Sequence, residues 1–312
     1  MFTYDQATVD GTGAFLVGEL ERLDQTLNMP LVGYTWSRDI QLREDVSIAD
    51  DISSFTNSSF AALGTPNPNG KNWIGKDSTA IAGPSVDITK QGFPLSLWGM
   101  ELGWTLPELA AAAQVGRPID TQKYDAMQLK WNMDTDEQVY RGDTQLGVKG
   151  LLNYNGVVVT NAVKTFAAST ADEMRAAINK VLTDAWAATG YTIVPRDLLI
   201  PPEQFSLLSS IIVSSAGNQS LLTYLQNNTI AFHQNGVPLN IRAVKWLKGA
   251  GVGGTDRMVA YTNDKKYVRF PMVPLLNVPV QYRGIFQLTT YYGKLGAVES
   301  PYPETMAYVD GI

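Results

Sequence analysis

Apolar positions change their spacing several times along this chain, and each change predicts a different element. Leu16, Leu20, Leu23 and Leu27 fall three to four residues apart, which predicts a helix over 14–27 with one leucine stripe. Residues 49–84 keep no sustained period of two or 3.6; they are dense in Ser, Asn, Gly, Thr and Pro. A structureless loop beyond ~15 residues is uncommon inside a compact domain. Phe55, Phe60 and Trp73 argue against a mere linker, because disordered segments are poor in aromatics. A long, partly apolar loop needs a surface to rest on, and another subunit must supply it if its own domain does not.

Helical signals follow. Thr105-Leu106-Pro107-Glu108 reads as a capping box with proline in the first turn, and Gly116 as the stop. Asp120 caps a long helix to about Tyr140 that presents Tyr124, Met127 and Trp131 on one stripe. Thr170-Ala171-Asp172-Glu173 caps a second amphipathic helix. Its buried face is Met174, Ala177, Ile178, Val181, Leu182, Ala185 and Trp186, and Gly190 ends it.

The remainder alternates short strands and helices. Residues 192–200 read as an apolar strand, Pro201-Pro202-Glu203 starts a helix, and 219–227 form another. Leu239, Ile241 and Ala243 alternate with Asn240 and Arg242 as in a half-buried strand. Residues 257–270 read as a hairpin turning at Asn263 to Lys266, and Phe286, Leu288, Thr290 and Tyr292 alternate in a long strand. No internal repeat is visible. The class is α+β, with helices and antiparallel strands in separate runs.

Composition narrows the function. A chain of 312 residues has length for about two domains. The net charge is −6, which offers no general attraction for nucleic acid. Up to position 50 there are nine Asp or Glu against three Arg, either a solvated helix face or an arm laid on a neighbour. The absence of cysteine excludes disulfides and thiolate metal sites. MFTYDQATVDGTGAFL does not read as a secretory signal, and no apolar run approaches the ~18 residues of a membrane helix.

The chemical-looking motifs fail on context. Gly70 to Asp77 is one residue short of a P-loop, and Asp77 stands where a magnesium-holding hydroxyl is needed. Gly249-Ala250-Gly251-Val252-Gly253-Gly254 matches a dinucleotide fingerprint, but a strand pattern follows it instead of a helix. His233, the sole histidine, has no partner in sequence and reads as a surface or capping residue. Asp134 and Asp136 point to different sides of a helix, so Asp134, Asp136 and Glu137 read as a solvated helix end and not as a metal site. Arg141-Gly142-Asp143 reads as a helix-ending turn, and the acceptor-like Asn57 and Asn227 tripeptides mean nothing without secretion. No catalytic constellation, cofactor site or metal site survives.

The order of features resembles the Hong Kong ninety-seven phage capsid fold, shared by major capsid proteins of tailed phages and by encapsulin shells. The residues that carry the resemblance are RGDTQLGVKGLLNYNGV after the helix at 120–140, TADEMRAAINKVLTDAWAATGYTIVPRDLLIPPEQFSLL, and the ending YYGKLGAVESPYPETMAYVDGI. The resemblance implies an N-terminal arm at 1–48, an extended loop at 49–96, a peripheral domain at 97–190 plus 276–312, and an axial domain at 191–275. It further implies a non-enzymatic subunit assembled in the host cytoplasm. Pentamers and hexamers of that subunit would form an icosahedral shell around double-stranded DNA, with portal, separate scaffold and decoration proteins as partners and no membrane. Leu16, Leu20, Leu23, Phe55, Phe60, Lys71, Trp73 and Lys76 are the expected inter-subunit contacts. Lys71 and Lys76 lie where relatives form a lysine–asparagine bond, but no matching Asn and Glu is identifiable, so both read as surface lysines. The alternatives are an encapsulin-type compartment, a hydrolase using remote carboxylates, and a tail or baseplate protein.

Overall fold

The computed structural model describes residues 32–62, 76, 84–115, 119–213 and 217–312. The expected helix over 14–27, with Leu16, Leu20 and Leu23, lies outside the described residues, as do Lys71, Trp73 and Gly116.

In chain order the elements are α1 (Trp36–Asp39), β1 (Gln41–Arg43), β2 (Ile52–Ala62), β3 (Pro84–Pro94), β4 (Ser96–Thr105), α2 (Leu106–Val115) and α3 (Ile119–Tyr140). Then come β5 (Val158–Asn161), α4 (Ala171–Ala188), β6 (Asp197–Ile200), α5 (Pro202–Ser210), β7 (Ile212–Val213), β8 (Gln219–Ser220), α6 (Leu221–Asn228) and α7 (Ile230–Asn235). The chain closes with β9 (Asn240–Ala243), β10 (Arg257–Tyr261), β11 (Arg269–Asn277), β12 (Gln281–Arg283), β13 (Phe286–Leu295) and β14 (Ala307–Asp310).

Both capping boxes form. The Thr170 hydroxyl accepts from the Glu173 amide and the Glu173 carboxylate accepts from the Thr170 amide; Thr105 and Glu108 do the same at α2. The α3 helix ends at Gly142, whose φ of +70° favours glycine, and a Cβ there would stand 2.3 Å from the Val148 carbonyl oxygen.

A mixed sheet, ordered β5-β14-β10-β6-β9, sits in the middle of the body. Its side chains alternate between two cores. Leu198, Ile200, Met258, Ala260, Ala307 and Val309 face the apolar stripe of α4, with α5, α6 and α7 alongside. Leu199, Val259, Tyr261 and Tyr308 face the second core, built from Trp36, Trp131, Val139, Tyr140 and Phe270. The class is α+β, as expected. Around this sheet α4 shares its core with β6 and β10, and β14 lies between β5 and β10.

The second sheet centres on β13, which pairs with β4 along its whole length and with β11 and β12 on its other edge; β1 adds in parallel to β11. The long α3 helix lies across it. Trp131 packs edge-on to Trp98 at 5.0 Å, Tyr124 meets Tyr291 at 5.5 Å, and a Cβ on Gly293 would come within 2.8 Å of the Trp131 ring. The helix therefore covers the face of Thr289, Tyr291 and Gly293, not the face of Phe286, Leu288, Thr290 and Tyr292 that sequence alternation favours.

Two further expectations are corrected. Residues 257–270 do not form a hairpin: the turn exists, with Tyr267 N–H donating to the Asp264 carbonyl, but β10 and β11 enter different sheets. Both edges of β10 are already taken by β6 and β14. The apolar run 192–200 is strand only at Asp197–Ile200.

Candidate assembly surface

Residues 49–84 are not a structureless loop at their ends. β2 and β3 pair antiparallel in unbroken register from Ile52↔Pro94 to Ala62↔Pro84, forming a two-stranded ribbon that stands apart from both larger sheets. An isolated two-stranded ribbon is marginal in water, so something must hold it.

The hold is at the root. Glu299, fully buried, accepts from Arg269 Nε at 2.8 Å, from Arg43 Nη1 at 3.1 Å and from the Ser53 hydroxyl. Arg43 also donates to the Ser54 carbonyl at 3.0 Å and pairs with Asp45 at 2.7 Å. Its hydrogen bond to Arg43 holds the Asp45 carboxyl below its ordinary value. Lys294 donates to the Asp50 carbonyl at 2.7 Å and to the Asp51 carboxylate at 2.9 Å. Above these, Phe55 stacks on Phe93 at 5.9 Å, with the Arg269 guanidinium 5.9 Å over its ring.

Phe55 is thus covered by its own chain, only 7% exposed. Its odd-numbered face of the ribbon is the one that turns to the body. The even face stays open: Ile52, Val86 and Ile88 are 65%, 52% and 67% exposed. Phe60 lies in β2, paired with Val86, and Lys76 is exposed. The Val86–Asp87–Ile88–Thr89 alternation was the sequence signal for that open face.

Between the ribbon root and the segments 147–155 and 300–304 lies an open cleft of about 820 Å³, lined by Asn57, Gln91, Lys149, Tyr154 and Glu304 among others. It brings together no nucleophile–base pair, and among the described residues no three potential metal ligands cluster. No described helix is long and apolar enough to cross a membrane.

The buried carboxylates are committed elsewhere. Asp136, expected at a solvated helix end, is fully buried: it accepts from the Thr35 and Trp36 amides at 2.8 and 3.0 Å and from the Trp246 indole at 2.6 Å. Those donors lie about a hundred residues away in sequence, which is why helix periodicity misplaced it. Asp39 binds Arg242 at 2.9 Å and the Tyr140 hydroxyl, whose own pKa burial pushes far up. Asp197 is raised by burial, against the Asn263 amide and Arg242 that favour its charge. Asp310, against the burial that would raise it, is lowered by its hydrogen bonds to Arg257. Each of these groups ties segments together; none faces an open site with a free proton partner. His233 is exposed on α7, against Phe232. The glycine-rich 249–254 turn leads into β10, not a helix, and hands the Val252 amide to Asp310 at 3.0 Å.

A family model described as major capsid protein matches residues 70–312. The chain belongs to the major capsid protein family. No curated protein matches it. Among solved structures it is similar to the capsid of Myoviridae Phage XM1, 20% identical over 95% of this chain and 98% of that one, with a TM-score of 0.79. The capsid of a native GTA particle is 11% identical over 99% of each chain, with a TM-score of 0.64. A virus-like particle from Pyrococcus furiosus is also 11% identical, over 88% of this chain and 91% of that one, at 0.50. At these identities the likeness is one of fold, the Hong Kong ninety-seven type. The capsid subunit is a structural shell protein, and its copies assemble into the capsid lattice of a virion.

Proposed function

We propose that this subunit forms pentamers and hexamers of an icosahedral shell that encloses double-stranded DNA in a tailed phage, built in the host cytoplasm and without catalysis. The observation that carries the reading is the ribbon: its root is bonded to the body while Ile52, Val86 and Ile88 stay open to solvent. Permanent self-interfaces are apolar and often exceed ~2,000 Å². A second copy is the partner that would cover this face. Leu16, Leu20 and Leu23, with Phe60, Lys71, Trp73 and Lys76 in the sequence between Ile52 and Pro94, would meet neighbouring copies. A net charge of −6 fits a container that holds DNA without gripping it. Portal, scaffold and decoration proteins would complete the particle.

The test is to join Asn57 directly to Thr89, which are paired in the register, through a short Gly-Ser turn. The root contacts of Ser53 and Phe55 remain. We expect a folded subunit with native thermal unfolding that yields no closed shells by electron microscopy. Shells of normal yield from the excised chain would refute the role of the ribbon. Nuclease-protected DNA inside wild-type particles, as opposed to enclosed protein, separates a phage shell from an encapsulin-type compartment.

A further inference from the structure

Among its described residues the ribbon is bonded to the body in the first half of β2, at Ser53, Ser54 and Asn57, so whatever holds those residues sets its direction. Ser53 and Phe55 are buried and Ser54 and Asn57 half-buried, whereas the β3 residues from Val86 to Gln91 are exposed. Two opposite charges grip this root from a single six-residue stretch, 294–299. Lys294 reaches Asp50 and Asp51, and Glu299 reaches Ser53. Both are almost wholly buried, Lys294 at 6% and Glu299 at 0% exposure.

The stretch itself is firmly seated. The Gly296 carbonyl accepts from Gln138 of α3 at 3.1 Å, and the Gly296 amide donates to the Pro271 carbonyl at 3.0 Å. A Cβ at Gly296 would stand 2.6 Å from Pro271 and 2.9 Å from Leu95, so backbone and ribbon root are in close contact there. Glu299 is also held between Arg43 and Arg269, both of which lie outside the ribbon. Apolar packing alone would let a two-stranded ribbon pivot about its root. Charge-assisted hydrogen bonds have preferred directions and short lengths, so two of them at separate points define an angle.

We infer that Lys294 and Glu299 are positioning residues that fix the angle at which the ribbon leaves the body, and through it the size of the shell. This rests on the proposed role of the ribbon in assembly. Ser53 supplies the perturbation, because Ser53→Ala removes the hydroxyl that donates to Glu299 and accepts from Arg43 while leaving the Arg43–Glu299 and Arg269–Glu299 pairs in place. Lys294→Met removes the second grip and keeps the buried stem.

The experiment compares the full-length Ser53→Ala/Lys294→Met double variant with wild type by hydrogen–deuterium exchange on dispersed subunits and by particle diameter in electron microscopy. The expected result is exchange faster by about tenfold in the 52–58 amides, with β10 in the central sheet unchanged. Particles should then be mixed or altered in diameter, or absent. Asp51→Asn, a change at a 91% exposed carboxylate, should give the same direction more weakly and cannot unfold the body. Particles of wild-type yield and a single wild-type diameter overturn the inference whatever the exchange does. Altered particles without faster ribbon exchange overturn it too, since assembly would then fail through something other than the ribbon. Normal shells from the ribbon-excised chain would instead remove the underlying reading.

Discussion

Asp136 offers the sharpest test of how the N-terminal segment is tied down. Asp136→Ala strips the acceptor from three donors at once: the Thr35 and Trp36 amides and the Trp246 indole. An orphaned buried donor costs about 1–3 kcal/mol. Only Trp36 is fully buried among the three donor residues; Thr35 and Trp246 are half-buried, so water replaces part of what is lost. Removing a buried carboxylate also relieves its desolvation, and half-exposed Lys245 at 3.5 Å contributes little. The net expectation is a destabilisation of about 2–4 kcal/mol. Asp136→Asn separates the contributions: its amide oxygen can still serve the two backbone donors, but its NH₂ then faces the indole N–H, donor to donor. Adding Trp246→Phe should recover part of the loss in the Asn background and cost stability in the wild-type background. Urea unfolding of the ribbon-excised subunit, which avoids assembly, measures all four proteins, with m-values unchanged. A loss below about 1 kcal/mol for Asp136→Ala would mean that the carboxylate is not the anchor described.

Two other outcomes follow from buried and surface charge. Arg257→Leu leaves Asp310 buried without its two guanidinium bonds at 2.6 and 2.8 Å and should cost about 3–5 kcal/mol in the same urea assay, whereas Arg257→Leu/Asp310→Leu should restore part of it. Glu173 is held down to about 2, from an ordinary value of 4.5, first by Lys164 and then by the Thr170 amide. A depressed carboxylate contributes fully above its unfolded value and loses that contribution as pH falls through the folded one. Exchange of the α4 first-turn amides, referenced to mid-helix, should therefore rise between pH 4.5 and 2.

Much of the body was legible because its helices obey local rules. The α4 stripe and both capping boxes depend on residues within a few positions of each other, and these appeared where the spacing placed them. The misread elements depend on distant partners. The Asn263–Lys266 turn is genuine, yet β10 and β11 separate because β6 and β14 flank β10. Asp136 looked solvated because nothing in its own helix announces Trp36 or Trp246. Beyond the Val86–Thr89 alternation the ribbon left little periodic trace, since among its described residues the buried ones, Ser53 and Phe55, sit at the root; outside a core, strands need not alternate. Glu299 and Lys294 carried no signal at all, being defined by what the root brings to them.

The central sheet has one further consequence. Because β10, β6 and β14 wall both cores at once, a substitution that shifts one of these strands disturbs the packing on both sides of the sheet, so neither core can be repacked independently of the other.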